Sequence, residues 1–129
     1  MSVKSERGNV GEEYVCQKLT AEGYIIKERN FRIRGGELDI IAEKEGVLAV
    51  VEVKTRKFGG LVSGLEAITP KKKNCIIKAT TEYLYRNNIE NVPIRFDVAE
   101  VTVTTEALPR VLGFDYYKDA FDASDAGIY

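Results

Sequence analysis

The chain has 129 residues, of which 44% are hydrophobic and 30% are charged. That composition supports a packed core and excludes a disordered chain. No apolar run approaches the roughly 20 residues of a membrane-spanning helix. The opening residues, MSVKSERGNV, lack the apolar segment of a secretory signal, so we expect a cytoplasmic protein that does not contact a membrane. The length fits one domain, expected at residues 1–121, with an acidic tail at residues 122–129.

The net charge of −1 hides two regions of opposite sign. Residues 1–95 contain 17 Lys/Arg and 13 Asp/Glu, whereas residues 96–129 contain 2 and 7. The mildly basic body is compatible with a nucleic-acid partner but does not establish one. The chain has no histidine, which excludes histidine-based zinc sites and the usual Ser–His or Cys–His nucleophile pairs. A bound metal would therefore be a hard cation held by carboxylates.

Hydrophobic periodicity and turn residues predict two helices and four or five strands, in the order αβββαβ(β). The helices are expected at residues 8–22 and 70–87, and the strands at residues 24–33, 37–43, 47–55, 94–104 and 110–121. The last segment is expected to form a short strand or a hairpin return. Three meandering strands followed by a helical crossover predict an α/β fold with a mixed central sheet flanked by helices.

Local signals refine this order. Thr69 and Pro70 are typical of an N-cap and a first helical residue, so they predict the start of the second helix. The glycine-rich segment at residues 58–64 predicts a flexible loop before it. Residues 47–55 are apolar on both faces, which indicates a central strand covered on both sides.

Several polar side chains are expected to be structural. Cys16 and Cys75 lie in half-apolar helical stretches without CxxC spacing, so they are expected to be reduced thiols rather than a disulfide. Asp97 alternates with apolar residues in the later strand, where it would pair with Arg95 or Arg32.

The hairpin between the second and third strands brings acidic residues together. A two-residue turn at residues 45–46 is favoured because glycine supplies the positive φ that tight hairpins need. Counting back from that turn places Asp39 opposite Glu52 and Glu37 opposite Lys54. Directly opposed side chains have Cβ atoms roughly 4.5–5.5 Å apart, so the first of these pairs is a contact between like charges.

Two carboxylates at that distance repel unless a cation lies between them, and Mg²⁺ suits such a pair. Lys54 lies two residues beyond Glu52 and so points to the same face, where it can steady a water or a developing negative charge. The alternative is a solvated charge ladder formed by Glu37, Asp39, Glu52, Lys54 and Arg56. That ladder explains the pairing of Glu37 with Lys54, but it does not explain opposed carboxylates in apolar strands.

The first helix contributes a third carboxylate. Glu12 falls on the apolar stripe of that helix, with Val15, Cys16 and Leu19. A carboxylate on a core-facing stripe is costly unless it is paired or bound to a metal. The alternative is a first-turn acid favoured by the helix dipole. Gly11 would let this end of the helix approach the sheet closely.

The second helix begins with three lysines, at residues 71–73. Lys72 shares a stripe with core-facing residues and should point toward the sheet, where it would form a phosphate site with the free backbone N–H groups of the helix start. A solvated basic turn is the alternative, favoured for the other two lysines. Arg34, Arg56 and Lys57, together with Arg32, would extend a basic rim that neutralises a polyanion backbone.

Asp39, followed after a dozen residues by Glu52-Val53-Lys54, resembles the PD-(D/E)xK motif of restriction-endonuclease-like nucleases. The surrounding segments GNVGEEYVCQKLTAEGYIIKERNFR, TPKKK and RFDV make the chain similar to the small, uncharacterised bacterial YraN-type family. That family is in turn similar to archaeal Holliday-junction resolvases. The proline of the motif is absent, because Leu38 precedes Asp39.

The resemblance implies a restriction-endonuclease-like fold in which Asp39 and Glu52 hold Mg²⁺ or Mn²⁺. Lys54 would assist the attacking water, and the Val53 carbonyl would be a further ligand. Glu12 would be the helix carboxylate of resolvase-like proteins. Two more residues, Glu37 and Lys72, match the family pattern without a settled role.

Three functions follow as hypotheses. The first is a DNA endonuclease for branched or damaged DNA. The second is a nucleic-acid-binding module that keeps the nuclease fold without cutting, and the third is a structural protein. A homodimer is an open expectation, since resolvase-like proteins pair to cut two strands.

Overall fold

Two helices and five strands alternate in the predicted order. The computed structural model describes residues 6–59 and 68–123. The elements are α1 (Glu6–Ala21), β1 (Ile25–Ile33), β2 (Gly36–Lys44), β3 (Val47–Lys57), α2 (Pro70–Arg86), β4 (Ile94–Val103) and β5 (Val111–Phe121). Most of the predicted glycine-rich loop and of the acidic tail lies outside the described residues. No helix in the described ranges is long and apolar enough to cross a membrane.

The five strands form one mixed sheet in the order β1-β2-β3-β4-β5. Neighbouring strands pair antiparallel except β3 and β4, which pair parallel because α2 forms the crossover between them. β3 therefore occupies the centre, as its two apolar faces predicted. β5 is a full strand of 11 residues along β4, so the expectation of a short strand underestimated it.

Each face of the sheet packs against one helix. The α1 face contains an apolar cluster that includes Val15, Leu19, Ile40, Val51, Ala99 and Val101. The α2 face contains a second cluster that includes Leu38, Ile41, Val50, Ile76, Tyr83 and Val98. The protein thus has a three-layer α/β/α core, with the sheet between the two helices.

The predicted local features are confirmed. Thr69 caps α2, with its Oγ1 accepting a hydrogen bond from Lys72 N at 3.2 Å. Glu45 and Gly46 form the β2–β3 turn, and both have positive φ, 52° and 79°. The two cysteines are free thiols.

Asp97 is structural, as expected, and its partner is Arg95. This carboxylate is 0% exposed, and Arg95 Nε donates to it at 2.9 and 3.1 Å. The Tyr116 hydroxyl donates to it at 2.6 Å and the Asp119 backbone N–H at 2.9 Å. A second guanidinium nitrogen of Arg95 donates to the Tyr24 hydroxyl at 2.6 Å. These contacts satisfy the buried carboxylate and tie β4 to β5.

Candidate active site

The β2–β3 hairpin separates at the end that carries the acidic residues. Its register runs from Lys44–Val47 back to Ile40–Val51, as predicted, and the ladder ends there. The expected backbone pairs of Asp39 with Glu52 and of Glu37 with Lys54 lie beyond that end.

Asp39 occupies the gap that this separation opens. Its Oδ2 accepts a hydrogen bond from the backbone N–H of Val53 at 2.9 Å, and the residue is 7% exposed. The carboxylate thus accepts the hydrogen bond that the backbone of β2 would otherwise accept from the Val53 N–H. A side chain held by a backbone N–H cannot swing freely, so Asp39 presents a fixed acidic group at the separated end of β2.

Glu52 contacts Asp39 side chain to side chain, although their backbones are not paired. The Glu52 side chain is 11% exposed. The pKa of Glu52 is raised to about 8, chiefly by burial, with the hydrogen bond to Asp39 and the negative charge of Asp39 acting in the same direction. Lys72 and Lys54 oppose these effects. Burial beside a second carboxyl group therefore disfavours the ionised form of Glu52.

Lys72 reaches this pair from α2. Its Nζ lies 3.6 Å from Glu52 Oε2, which confirms that the side chain points toward the sheet. The N-cap at Thr69 fixes where the helix begins and therefore where Lys72 emerges. The Lys72 side chain is half-exposed, so its ammonium group faces both the solvent and the buried Glu52 carboxyl group.

Lys54 and Arg56 continue the same face of β3. Lys54 is close enough to lower the pKa of Glu52, and it lies in register with Glu100 on β4. Arg56 Nε donates to Glu100 Oε2 at 3.3 Å, and both side chains are largely buried. Arg56 therefore has an acidic partner within the protein, whereas the sequence assigned it to an open basic rim.

Glu100 is the site residue that the sequence did not single out. It is 6% exposed and lies in register with Lys54 of β3, because β4 runs parallel to β3. One signal was available, since Glu100 interrupts the apolar face on which Phe96 and Val98 lie. A buried acid in such a strand requires a cationic partner.

The remaining predicted residues lie at the same end of the sheet with different surroundings. Glu37 accepts a hydrogen bond from Arg32 Nε of the neighbouring β1 at 3.2 Å. Arg34 is exposed in the β1–β2 turn, and Lys57 is exposed at the end of β3.

Glu12 is buried on α1, 3% exposed, on the predicted stripe. The close approach of this helix is also confirmed, because a Cβ at Gly11 would overlap the Thr55 side chain of β3. Glu12 belongs to the α1 layer, whereas Glu52 contacts Lys72 in the α2 layer. Within residues 6–59 and 68–123, no three Asp, Glu or Cys side chains form a group suited to holding a metal.

The donor set nevertheless fits a hard divalent cation. Asp39 and Glu52 place two buried carboxyl groups in contact, and the raised pKa of Glu52 shows that a second negative charge is disfavoured there. A cation between the two groups would remove that repulsion, as a proton does. Two carboxylates with carbonyl and water ligands are a usual set for Mg²⁺.

The sequence is similar to those of an uncharacterised protein family. The model of the uncharacterised protein family UPF0102 matches residues 11–101, a segment that contains every acidic residue of the site. A UPF0102 protein of Clostridioides difficile is 38% identical over 110 residues, covering 83% of this chain and 94% of that protein. One of Flavobacterium johnsoniae is 36% identical over 124 residues, covering 94% and 98%. One of Oleidesulfovibrio alaskensis is 45% identical over 100 residues, and this chain spans about half, 48%, of its length.

Proposed function

This chain belongs to the uncharacterised protein family UPF0102, and we propose that it is a metal-dependent endonuclease that hydrolyses phosphodiester bonds of DNA. The observation that carries the proposal is the buried contact between Asp39 and Glu52, flanked by Lys54 and Lys72. Structural ion pairs join opposite charges, whereas this pair joins two acids and surrounds them with two amines. That arrangement suits a site that binds a cation and a phosphate together.

Asp39, Glu52 and the Val53 carbonyl would hold Mg²⁺ or Mn²⁺. A divalent ion bound there supplies a lowered pKa for an attacking water and neutralises charge on the scissile phosphate. The protein contributes the fixed position of Asp39, which the Val53 N–H restrains. It also contributes burial, which strengthens each electrostatic interaction at the site.

The lysines would act on the substrate. Lys54 would orient the attacking water or stabilise the negative charge that develops on the phosphate. Lys72 would bind a neighbouring phosphate through its ammonium group, since the backbone N–H groups of Lys72 and Lys73 are already bonded to Thr69. Arg34 and Lys57 would neutralise the DNA backbone on either side. Glu12 would be the helix carboxylate of resolvase-like proteins, placed on the α1 face of the sheet, opposite to Lys72.

Purified protein incubated with Mg²⁺ or Mn²⁺ and junction, flap or linear DNA tests the proposal. We expect cleavage of at least one substrate and its loss in Glu52→Gln. The same substitution at Glu43, at the far end of β2, is the matched control and should cut normally. Cleavage that survives Glu52→Gln would overturn the assignment of the site. The substrate that is cut fastest identifies the DNA form, branched or linear.

A non-catalytic DNA-binding module is the second candidate. One observation favours it, namely that the described residues contain no group of three acidic or cysteine side chains suited to a metal. Such a module would bind DNA with strong salt dependence through Lys72 and the exposed cations. It would not cut with any divalent ion, and Glu52→Gln would leave its affinity unchanged.

A further inference from the structure

The strands β1 and β2 both break their alternation at the level of Asp39. Side chains two residues apart in a strand normally share a face. Here Arg29 contacts Glu13 of α1, whereas Phe31 packs edge-on against Tyr83 of α2. The two side chains therefore lie on opposite faces of the sheet although only one residue separates them.

The same reversal occurs on the partner strand. Ile40 belongs to the α1-face cluster, whereas Leu38 belongs to the α2-face cluster. The pairs Arg29–Ile40 and Phe31–Leu38 are both in register. Both strands therefore reverse at one level, and the residue between each pair is Asn30 on β1 and Asp39 on β2.

Asn30 has the backbone conformation that produces such a reversal. Its φ is 54°, which lies in the left-handed region. Residues other than glycine rarely adopt this region, and asparagine is among those that do so most often. A single left-handed residue in a strand rotates the following side chain to the other face. Asn30 Oδ1 is also buried and has no hydrogen-bond partner among the described residues. The residue thus combines two unfavourable features, which are typical of positions kept for function.

We infer that Asn30 is a positioning residue for Asp39. Its left-handed backbone turns β1 and the paired segment of β2, so that Asp39 leaves the regular ladder and its carboxylate accepts the Val53 N–H. In a regular ladder the β2 backbone would pair there, and Asp39 would not be restrained beside Glu52. The value of this position for catalysis rests on the proposed function, whereas the positioning itself does not.

Substitutions that differ in backbone preference separate the backbone of Asn30 from its amide. Asn30→Gly accepts positive φ and removes the amide, whereas Asn30→Ala opposes positive φ. The readout is amide hydrogen exchange measured by NMR in EDTA, at Val53 relative to Val51. We expect Asn30→Gly to keep the Val53 protection of the native protein. We expect Asn30→Ala to exchange at least tenfold faster at Val53, with Val51 unchanged.

Mn²⁺ affinity is the second readout and connects the position to the proposed function. Asn30→Ala should weaken Mn²⁺ binding at least tenfold, and Asn30→Gly should bind within about twofold of the native protein. Loss of Val53 protection in Asn30→Gly, or full protection in Asn30→Ala, would overturn the inference. If Asn30→Ala fails to fold, Asn30→Gly and Asn30→Asp, which both tolerate positive φ, decide the test, and loss of Val53 protection in either would overturn the inference. The expected exchange pattern without any Mn²⁺ binding would support the positioning role and refute the metal site.

Discussion

The side chains of Asp39 and Glu52 hydrogen-bond each other just beyond the point where the β2–β3 ladder ends. Two features of the hairpin produce this arrangement. The register brings the residues to the same level, and the separation of the strands lets Asp39 turn toward Val53 N. The metal-free protein therefore carries an acid pair whose full ionisation opposes folding, and that property can be measured without any substrate.

Stability should depend on pH through Glu52. Its pKa rises from 4.5 to about 8 on folding, chiefly through burial. The folded protein therefore retains a proton that the unfolded chain loses, so the stability contribution is complete below 4.5 and is lost as the pH rises toward 8. In EDTA, Glu52→Gln should be more stable than the native protein above this window by up to about 5 kcal/mol, since each pKa unit is worth about 1.4 kcal/mol.

Urea unfolding at a series of pH values measures this difference. The advantage of Glu52→Gln should vanish at the acidic end of the window, because the native carboxyl group is then protonated as well. Glu43→Gln, the same change at the other end of β2, is the control. Parallel stability curves for the native protein and Glu52→Gln would contradict a buried acid pair.

Lys72 should contribute to DNA binding more than its neighbour Lys71. Lys72 reaches Glu52, whereas Lys71 is exposed in the same turn of α2. With Ca²⁺ in place of Mg²⁺, Lys72→Gln should weaken binding of a labelled DNA junction and reduce the slope of log affinity against log salt by about one. Fluorescence anisotropy at several salt concentrations gives both quantities. Equal effects of Lys71→Gln and Lys72→Gln would show that only general surface charge matters.

The hydrogen bonds to Asp97 should contribute strongly to the free energy of unfolding. Asp97→Ala leaves the Arg95 guanidinium without its buried partner, so we expect a loss of about 3–5 kcal/mol in the free energy of unfolding. The exposed pair of Glu106 and Arg110 is the control, and Glu106→Ala should leave the free energy of unfolding close to that of the native protein. Urea titration of both variants decides this, and similar losses would refute the role of Asp97.

Glu100 should matter mainly as the partner of Arg56. Glu100→Leu removes the acidic partner of the largely buried Arg56 guanidinium, with an expected loss of about 3 kcal/mol in the free energy of unfolding. The double variant Glu100→Leu with Arg56→Met removes both charges and should recover much of that loss. Thermal unfolding of the single and double variants measures the coupling. Additive losses would show that the two side chains do not stabilise each other.

The hairpin register was predictable because the apolar alternation and the turn at Glu45–Gly46 determine it locally. The end of the ladder was not, since it depends on a left-handed residue in β1 and on a side chain that replaces a backbone pair. The pairing of Arg56 with Glu100 was also not predictable from the sequence. Glu100 lies 44 residues further along, and no short turn sets the register of parallel strands.

The layer in which Glu12 lies was also not predictable from the sequence. The helical stripe correctly predicted that this carboxylate is buried, because helical periodicity is a local property. Periodicity does not tell which layer a helix joins, and α1 packs on the face of the sheet opposite to Lys72. The sequence therefore predicted that Glu12 is buried but not the layer in which it lies.

The most direct test of the metal site is anomalous diffraction from crystals of the protein soaked in Mn²⁺. We expect a single strong peak within coordination distance of both the Asp39 and Glu52 carboxylates, and its absence in Glu52→Gln crystals soaked in the same way. A peak elsewhere, or no peak near this pair at a concentration that supports DNA cleavage, would contradict the assignment of these two residues as the metal ligands.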